Sequence, residues 1–280
     1  NIKFTILTII YDSNNDDLFL KSLNSFFNQS LLNVEVIIIN NGAKKEFLIE
    51  LDKYLYKKNN VTLINNPIPQ FDSKHTNVFC PILGLTNFGL LISKGELFSM
   101  VSWDDEINTS YCSSIYKNYL ETGFFCFAPF LKTIDINSNI IESTTKLIAK
   151  SYLDLPEVID SKDVMESRIY KSEDIIFRSP GELLAYQKEF LISREGFDYD
   201  IDYSQYFKIA AGEKIVISKE AILFWRYHPN QAHNIHTELF NSYQIKRLKE
   251  IYELSNIYQL HLNKYGEEWA KRIKNFYKIN

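Results

Sequence analysis

An acidic cluster, Asp104-Asp105-Glu106, directly follows an apolar run that ends at Val101. Open α/β sheets bind their ligands beyond the carboxyl ends of the strands, which is where this cluster would lie. One carboxylate there can bind a hard cation such as Mg²⁺ or Mn²⁺ that bridges to a substrate phosphate, while its neighbour accepts hydrogen bonds from a ribose hydroxyl. The same residues also suit a solvated turn that caps the helix beginning near Asn108.

A second cluster, Trp225–His233, holds a guanidinium, an indole, two amides and two imidazoles within one turn-like segment. The planar fork of Arg226 suits the oxygens of a diphosphate, and His228 suits the same group or a metal ion. His228, His233 and His236 raise the alternative of a small zinc site, although no further cysteine, histidine or carboxylate has ligand spacing nearby. A purely structural role for each histidine stays open.

A third cluster places carboxylates at alternate positions, namely Asp198, Asp200 and Asp202, ahead of a short predicted helix. A catalytic base for transfer to a hydroxyl needs a carboxylate that is held beside that hydroxyl in a partly dry site. The helix dipole equally favours acidic residues at a helix N-terminus. Chemistry alone does not choose among the three.

The elements that must position these clusters alternate between strand and helix over the first hundred residues. The apolar, β-branched run Phe4–Ile10 predicts a strand that is buried on both faces, and Val34–Ile39 and Val61–Ile64 predict a second and a third strand. Helical spacing over Leu18–Phe27 and Phe47–Leu55 predicts the helices between them. This β-α-β-α-β order predicts a parallel sheet with right-handed crossovers.

The rest of the chain continues the α/β pattern as far as residue 236. The further predicted elements are helices at Ile82–Ser93 and Ser110–Leu120, strands at Glu96–Val101, Phe124–Phe127, Ile215–Ile217 and Ala221–Arg226, and a hairpin plus a helix within Ile134–Arg178. From Glu238 the pattern is helical, with a break near Gly266. We therefore expect a mostly parallel central sheet flanked by helices over residues 1–236, and a helical extension over residues 237–280.

The composition is that of a soluble globular protein, with 45% hydrophobic and 24% charged residues. A formal net charge of -4 disfavours a nucleic-acid partner held through its backbone charge. Cys80, Cys112 and Cys126 lack CxxC spacing, which argues against a disulfide framework and fits a reducing cytoplasm. No apolar run approaches the roughly 20 residues that span a bilayer.

Taken in order, short motifs over roughly residues 3–235 resemble those of inverting family 2 glycosyltransferases, which have the GT-A (Rossmann-like) fold. Phe4–Asp12 is similar to the family's opening strand and its T-P-T-Y-N-like end, and Glu35–Gly42 to its E-I-I-I-V-D-D/N-G-S turn. The other matches are Ser22–Ser30 to S-hydrophobic-x-S…NQT, Asn87–Glu96 to R-N-x-G…A-x-G-E, Ser102–Asp105 to the DxD-type motif, Gly196–Asp198 to G-G-F-D, Asp202 to the base of E-D-x-D, and Trp225–Gln231 to Y-R-x-H-x-x-Q. Each motif is short, and their common order and spacing carry the resemblance.

The resemblance implies how the donor would be bound. Thr8, Tyr11 and Asn41 would line the nucleobase pocket, and Asp104 would contact the ribose. Asp105 and His228 would be the metal ligands and would hold Mn²⁺ or Mg²⁺. Arg226 and Gln231 would contact the diphosphate or the acceptor. Asn40-Asn41 replaces an acidic pair, so we expect either that uracil recognition is altered or that only the amide remains to read the base edge. Ser102 replaces the first aspartate of DxD.

The resemblance also implies the reaction. Asp202 would deprotonate the acceptor hydroxyl, with Asp198 and Asp200 as fallbacks because Ile201 replaces its acidic neighbour. We expect a metal-dependent hexosyltransferase that inverts the anomeric carbon and uses a UDP-sugar. The expected acceptor is a glycan or lipid-linked glycan in bacterial capsule, lipooligosaccharide or polysaccharide synthesis. A nucleotidyltransferase is an alternative, although Tyr11–Asp17 lacks a Gly-rich basic loop, and so is a non-catalytic sugar- or partner-binding module.

The carboxyl-terminal residues form a basic amphipathic pattern. Its apolar members are Trp269, Ile273, Phe276 and Tyr277, and its basic members are Lys271, Arg272, Lys274 and Lys278. Such a helix suits peripheral contact with the inner face of the cytoplasmic membrane. Packing on the catalytic domain or on another subunit of a homo-oligomer is the alternative. The expected location is otherwise cytoplasmic.

Overall fold

The computed structural model describes residues 1–11, 16–67, 79–143, 155–169, 184–197, 208, 211–228, 250 and 256–276. Within them the strands are β1 Phe4–Ile10, β2 Val34–Asn40, β3 Val61–Asn65, β4 Leu97–Met100, β5 Glu106–Ile107, β6 Cys126–Ile134, β7 Val158–Asp160, β8 Ala185–Gln187 and β9 Lys214–Arg226. The helices are α1 Asp16–Phe27, α2 Lys45–Leu55, α3 Phe79–Ile92, α4 Tyr111–Thr122, α5 Ser161–Ile169, α6 Lys188–Ser193, α7 Ile257–Tyr265 and α8 Glu267–Phe276.

The amino-terminal half of the sheet is parallel, in the strand order β3-β2-β1-β4. β1 is buried along its whole length and lies between β2 and β4. A strand that is covered on both faces is apolar throughout, which is why the run Phe4–Ile10 predicts β1 at the bounds that the structure has. The predicted β-α-β-α-β start is confirmed.

The carboxyl-terminal half of the sheet is mixed. β8 lies antiparallel between β4 and β6, and β9 runs parallel to β6. β5 and β7 pair with β9, both antiparallel. The prediction of a mostly parallel sheet therefore holds for the first four strands, while parallel and antiparallel pairs are equally common over the described strands.

β9 is one continuous strand where the apolar pattern predicts two short ones, Ile215–Ile217 and Ala221–Arg226. Lys219 and Glu220, which interrupt the pattern, are exposed, and the register with β6 shifts at this point. Extra residues in one strand of a pair form a bulge that lets the strand continue on the far side. The polar pair therefore bends the strand without ending it.

Two other predicted elements differ in extent. β6 continues to Ile134 instead of ending at Phe127, because β9 pairs with it along this length. α3 begins at Phe79 instead of Ile82. The expected hairpin is present as an antiparallel bridge between Ile134 and Ile140, and the expected helix as α5.

The carboxyl-terminal helices α7 and α8 meet at Gly266, as predicted. The apolar stripe of α8 is buried at Trp269, Ala270 and Ile273, and the Trp269 indole N–H donates to Glu166 of α5 at 2.5 Å. The stripe thus packs on the protein itself, which is the alternative to membrane contact. Among the described helices, none combines the length and the apolar character needed to cross a membrane. Residue 236, the expected domain boundary, lies outside the described residues.

Candidate functional site

The carboxyl ends of the four parallel strands bring four polar segments to one edge of the sheet. Tyr11 follows β1, Asn41 follows β2, Asn66 follows β3 and Ser102 follows β4. On one side of β1 lies β2, the next strand along the chain. On its other side lies β4, which comes after β3 in the chain. Such a change in strand order opens a crevice at the strand ends, and open α/β sheets bind ligands in that crevice.

Asp104 and His228 are in direct contact at this edge. Nε2 of His228 lies 2.8 Å from Oδ2 of Asp104, and the hydroxyl of Ser102 donates to Oδ1 of the same carboxylate at 2.7 Å. Both partners are largely buried, with 6% of Asp104 and 9% of His228 exposed. The contact forms because Glu106 of β5 pairs with Phe224 of β9, which draws the acidic turn to the end of β9.

Arg226 holds the acidic turn from inside the protein. It is fully buried, and its Nε donates to the carbonyl of Asp104 at 2.7 Å. One terminal nitrogen donates to the carbonyl of Asp135 at 2.6 Å, and the other pairs with Glu106. Its backbone N–H donates to Oδ1 of Asp105 at 2.9 Å. The Arg226 guanidinium, which we expected at the diphosphate or the acceptor, therefore donates its hydrogen bonds to groups of the protein itself.

Asp105, the expected metal ligand, is almost completely buried beside β9. The structure brings His228 to Asp104, the expected ribose ligand, and Arg226 to Asp105. Among the described residues no three or more histidine, cysteine or acidic side chains converge as a metal site. The available donors, carboxylate oxygens and one imidazole, still match Mn²⁺, and ions of this kind often complete their coordination with substrate phosphate and water.

An aromatic row borders the Asp104–His228 contact. The indole N–H of Trp103 donates to the hydroxyl of Tyr11 at 3.0 Å, and the two rings meet edge to face at 6.3 Å. The Trp103 ring also meets the His228 ring, with the ring centroids 6.2 Å apart. Trp103 thus links Tyr11, after β1, to His228, after β9. We assigned Trp103 no role from sequence, although it lies inside the acidic motif.

Asparagine side chains link the ends of β2 and β3. Nδ2 of Asn66 donates to Oδ1 of Asn41 at 2.8 Å, and Nδ2 of Asn40 donates to Oδ1 of Asn65 at 2.8 Å. Oδ1 of Asn40 accepts the backbone N–H of Ala43 at 2.8 Å, which closes the turn after β2. Asn40 is therefore a turn residue, while Asn41 lies at the crevice. Nothing in the sequence around Asn65 and Asn66 marks them, because they act only through strand pairing.

Thr8, an expected nucleobase contact, is buried in the interior of β1 opposite Ile38. Within the part of the chain that the structure describes, its hydroxyl has no hydrogen-bond partner. A buried hydroxyl without a partner is uncommon in native proteins. The Thr8 hydroxyl can therefore still donate or accept a hydrogen bond.

Several matched motif residues support the fold instead of the site. The buried carboxylate of Glu35 accepts from the Thr5 hydroxyl and from the backbone N–H of Lys94, both at 2.9 Å. A Cβ on Gly95 would lie 2.5 Å from the backbone nitrogen of Thr5, so only glycine fits there. Gln29 holds the turn before α4 by bonding the carbonyl of Asn108 and the N–H of Cys112.

The remaining expected site residues lie outside the described residues. They are Asp198, Asp200, Asp202, Gln231, His233 and His236. The structure therefore neither joins the base candidates to the edge described above nor separates them from it. Phe197, which immediately precedes Asp198, is described and buried.

No family model matches the sequence, and no curated protein is similar to it in sequence. Solved structures are similar in fold. S. aureus TarS residues 1–349 has a TM-score of 0.60 at 17% identity, covering 99% of this chain and 71% of that one. GalNAc-T7 with UDP, GalNAc and Mn²⁺ has a TM-score of 0.63 at 15% identity, covering 99% of this chain and 58% of that one. TarS 1–349 in complex with UDP has a TM-score of 0.54 at 14% identity, covering 91% of this chain and 73% of that one. The chain has the GT-A fold.

Proposed function

We propose that this chain is a metal-dependent glycosyltransferase that moves a sugar from a nucleotide-sugar, in the first place a UDP-sugar, to an acceptor hydroxyl with inversion. The observation that carries the proposal is the contact between Asp104 and His228 at the ligand-binding edge of a GT-A sheet. Two of the similar structures contain UDP, and one of them also contains Mn²⁺. The same edge here has aromatic, amide and acidic side chains, which suit a nucleoside diphosphate.

The nucleobase and ribose are proposed to lie along the ends of β1, β2 and β4. The unsatisfied hydroxyl of Thr8 and the amide of Asn41 supply hydrogen-bonding groups, and Tyr11 supplies an aromatic surface. Aromatic rings stack on bases of any identity, whereas amides and hydroxyls read the base edge. Asn41 both donates and accepts hydrogen bonds, so base selection here would differ from that of an aspartate at the same position.

The diphosphate is proposed to lie at the acidic turn. Asp104, Asp105 and His228 are the residues that would hold Mn²⁺ or Mg²⁺, with Asp104 and His228 favoured by their mutual contact. When bound, such an ion neutralises the negative charge that develops on the leaving diphosphate. Arg226 is proposed to act indirectly, because its guanidinium holds the turn through the carbonyl of Asp104 and the carboxylate of Glu106.

The transfer is proposed to be a single displacement. A carboxylate of the segment Asp198–Asp202, with Asp202 as the first candidate, removes the proton of the acceptor hydroxyl. The freed oxygen attacks the anomeric carbon, and the bond from that carbon to the donor phosphate oxygen breaks on the opposite face. The configuration of the anomeric carbon inverts, and the nucleoside diphosphate leaves with the bonding electron pair. Gln231 is proposed to address the diphosphate or the acceptor.

The biological setting is proposed to be bacterial surface-polysaccharide synthesis, with a glycan or lipid-linked glycan as acceptor. In that setting the protein would work on the cytoplasmic side, next to the membrane. Because the described part of the apolar stripe of α8 is buried, membrane contact of this helix is proposed to rest on its cations, of which Lys271 and Arg272 are exposed. Attraction of that kind is weak and is lost at high salt.

Binding of UDP, GDP and CMP by calorimetry, with and without Mn²⁺, tests the donor class. We expect Mn²⁺-dependent binding of UDP by the wild type and loss of that binding in Asp105→Ala. The matched control is Asp52→Asn, an exposed carboxylate on α2. Binding of no nucleotide by folded wild-type protein would refute the proposal and favour a non-catalytic module. The anomeric configuration of the product, read by NMR from the matching sugar nucleotide, then tests inversion.

A further inference from the structure

A side chain of α3 is bonded to the backbone immediately before the acidic segment Asp198–Asp202. Nδ2 of Asn87 donates to the carbonyl of Phe197 at 3.0 Å, and the N–H of Phe197 donates to Oδ1 of Asn87 at 2.8 Å. One amide thus satisfies both backbone groups of a single residue that is 110 positions away in sequence. Two bonds in this arrangement restrain both the position and the orientation of that peptide unit.

Gly196 makes this contact geometrically possible. It has a φ of 69°, a left-handed conformation that glycine adopts without strain. A Cβ at this position would lie 2.4 Å from Oδ1 of Asn87, closer than such atoms approach each other. The glycine therefore allows Asn87 to reach the backbone of the next residue, Phe197.

The Phe197 side chain fastens the same point to the sheet. Its ring lies 5.9 Å from the Phe98 ring of β4 and 6.1 Å from the Tyr186 ring of β8. β4 is also the strand that leads to Asp104. Phe197, the residue immediately before the acidic segment, is thereby tied to the strand whose end carries the donor-site residues.

Lys208, the next described residue after the acidic segment, contacts the chain before that segment. Lys208 is almost completely buried, and its ammonium contacts both the carbonyl of Glu195 at 3.4 Å and the carboxylate of that residue at 3.8 Å. A buried ammonium needs such partners because desolvation of an unpaired charge is costly. The chain on both sides of residues 198–207 is therefore held near Glu195, next to Gly196 and Phe197.

We infer that Asn87 is a positioning residue for the catalytic carboxylate: it fixes the peptide from which the acidic segment starts. The inference rests on the proposed function, in which that segment supplies the base. A base must lie within hydrogen-bond reach of the proton it removes, and a displacement of about 1 Å lowers a rate about 100-fold. Loss of the two amide bonds would therefore lower turnover while the donor site at β1, β2 and β4 keeps its shape.

The test compares Asn87→Ala with Asn118→Ala. Asn118, which lies on α4, is a matched control because its Nδ2 also makes a long-range hydrogen bond, to the hydroxyl of Ser218 at 2.7 Å. We expect kcat to fall at least about tenfold in Asn87→Ala, with the donor KM and the Kd for UDP within about twofold of wild type. Asn87→Asp keeps the acceptor for the N–H of Phe197 and loses the donor to its carbonyl, so its kcat should lie between those of wild type and Asn87→Ala. An unchanged kcat in Asn87→Ala, or equal losses of kcat and UDP affinity, would overturn the inference.

A double-variant cycle tests the contact itself. Gly196→Ala strains the backbone and also meets Oδ1 of Asn87, whereas in the Asn87→Ala background only the backbone strain remains. We therefore expect the double variant to lose less kcat than the two single losses multiplied together. Multiplicative losses would show that the two residues act separately and would contradict the contact.

Hydrogen exchange separates failure of the inference from failure of the proposed function. In Asn87→Ala the peptide covering residues 196–203 should exchange faster than in wild type and in Asn118→Ala. Unchanged exchange overturns the inference whether or not the protein is active. If wild type transfers no sugar and binds no UDP, the proposed function fails, and faster exchange then assigns Asn87 to folding alone. Normal wild-type turnover with unaltered Asn87→Ala turnover rejects only the positioning role.

Discussion

Nε2 of His228 lies 2.8 Å from Oδ2 of Asp104, although 124 positions separate the two residues in sequence. The contact depends on β5, which pairs Glu106 with Phe224 and so places the turn after β4 beside the end of β9. Ser102 completes the arrangement by donating to the other oxygen of the same carboxylate. A carboxylate held from both sides has a defined orientation, which is what a site for a charged ligand requires.

The Asp104–His228 pair should control metal-dependent nucleotide binding. We expect Asp104→Asn and His228→Ala each to weaken Mn²⁺-dependent UDP binding by about 10- to 100-fold, the range seen when groups that bind or orient a metal are altered. Because the residues are in contact, the double variant should be little worse than either single variant. Calorimetry with and without Mn²⁺ measures this, and additive losses in the double variant would argue against a shared site.

Arg226 should be required for stability. Removing one member of a buried ion pair leaves the other uncompensated, which costs about 3–5 kcal/mol. Arg226→Met should therefore lower the free energy of unfolding by about that amount, because Glu106 and the carbonyls of Asp104 and Asp135 lose their donor. Arg226→Lys should recover only part of it, since lysine lacks the planar fork. Urea unfolding measures the change.

The control for Arg226 is Lys117→Met. Lys117 forms an exposed pair with Glu121 at 4.0 Å on the surface of α4. Exposed pairs contribute about 0–1 kcal/mol, so this variant should remain close to wild type. Similar losses in Arg226→Met and Lys117→Met would show that the buried network is not what stabilises the acidic turn.

His261 should make the stability of the carboxyl-terminal helices depend on pH. Burial, with a smaller contribution from the nearby Arg194 guanidinium, lowers the pKa of His261 to about 3. The ring lies against the rings of Tyr265 and Trp269 at 5.8 and 5.1 Å. The unfolded chain, with a pKa of about 6.5, binds more protons at this residue below that pH, so stability falls as pH falls.

The predicted slope for His261 approaches about 1.4 kcal/mol per pH unit below about pH 6. His261→Gln should have a flatter dependence than wild type between about pH 7 and about pH 5, measured by urea unfolding. The lowered pKa of Asp160 affects stability at lower pH, around and below its ordinary value of 3.8. Gln259→Ala, an exposed change on α7, should retain the wild-type slope. Parallel curves for wild type and His261→Gln would refute the prediction.

Two glycines should respond oppositely to alanine. A Cβ on Gly95 would lie 2.5 Å from the backbone nitrogen of Thr5, so Gly95→Ala should destabilise by about 1–3 kcal/mol or more. Gly84 lies within α3, where an added methyl group would have no atom within 4 Å, so Gly84→Ala should stabilise by about 0.4–1 kcal/mol. Thermal unfolding of both variants measures the difference, and a lower melting temperature for Gly84→Ala would count against the open space at that position.

The parallel half of the sheet could be predicted because its information is local. A strand that is buried on both faces must be apolar along its length, so Phe4–Ile10 marks β1 to the residue. The short apolar run Val61–Ile64 marks β3, a half-buried strand at the end of the sheet, almost to the residue. β9 could not be predicted as one strand, because Lys219 and Glu220 interrupt its pattern. Only pairing with β6 carries the strand past them, and a strand partner far away in sequence leaves no local signal.

Residue type, spacing and burial pattern are properties of short stretches, so they were enough to predict the fold class and to mark the acidic turn and the histidine-containing segment as candidates. Which of these residues meet became visible in the folded chain. His228 contacts Asp104, Arg226 points inward to Glu106, and Asn66 joins Asn41. Strand register sets the direction and the neighbours of each side chain, and a register shift of one residue would reverse them all. That register is a long-range property of the packed sheet, which short motifs do not contain.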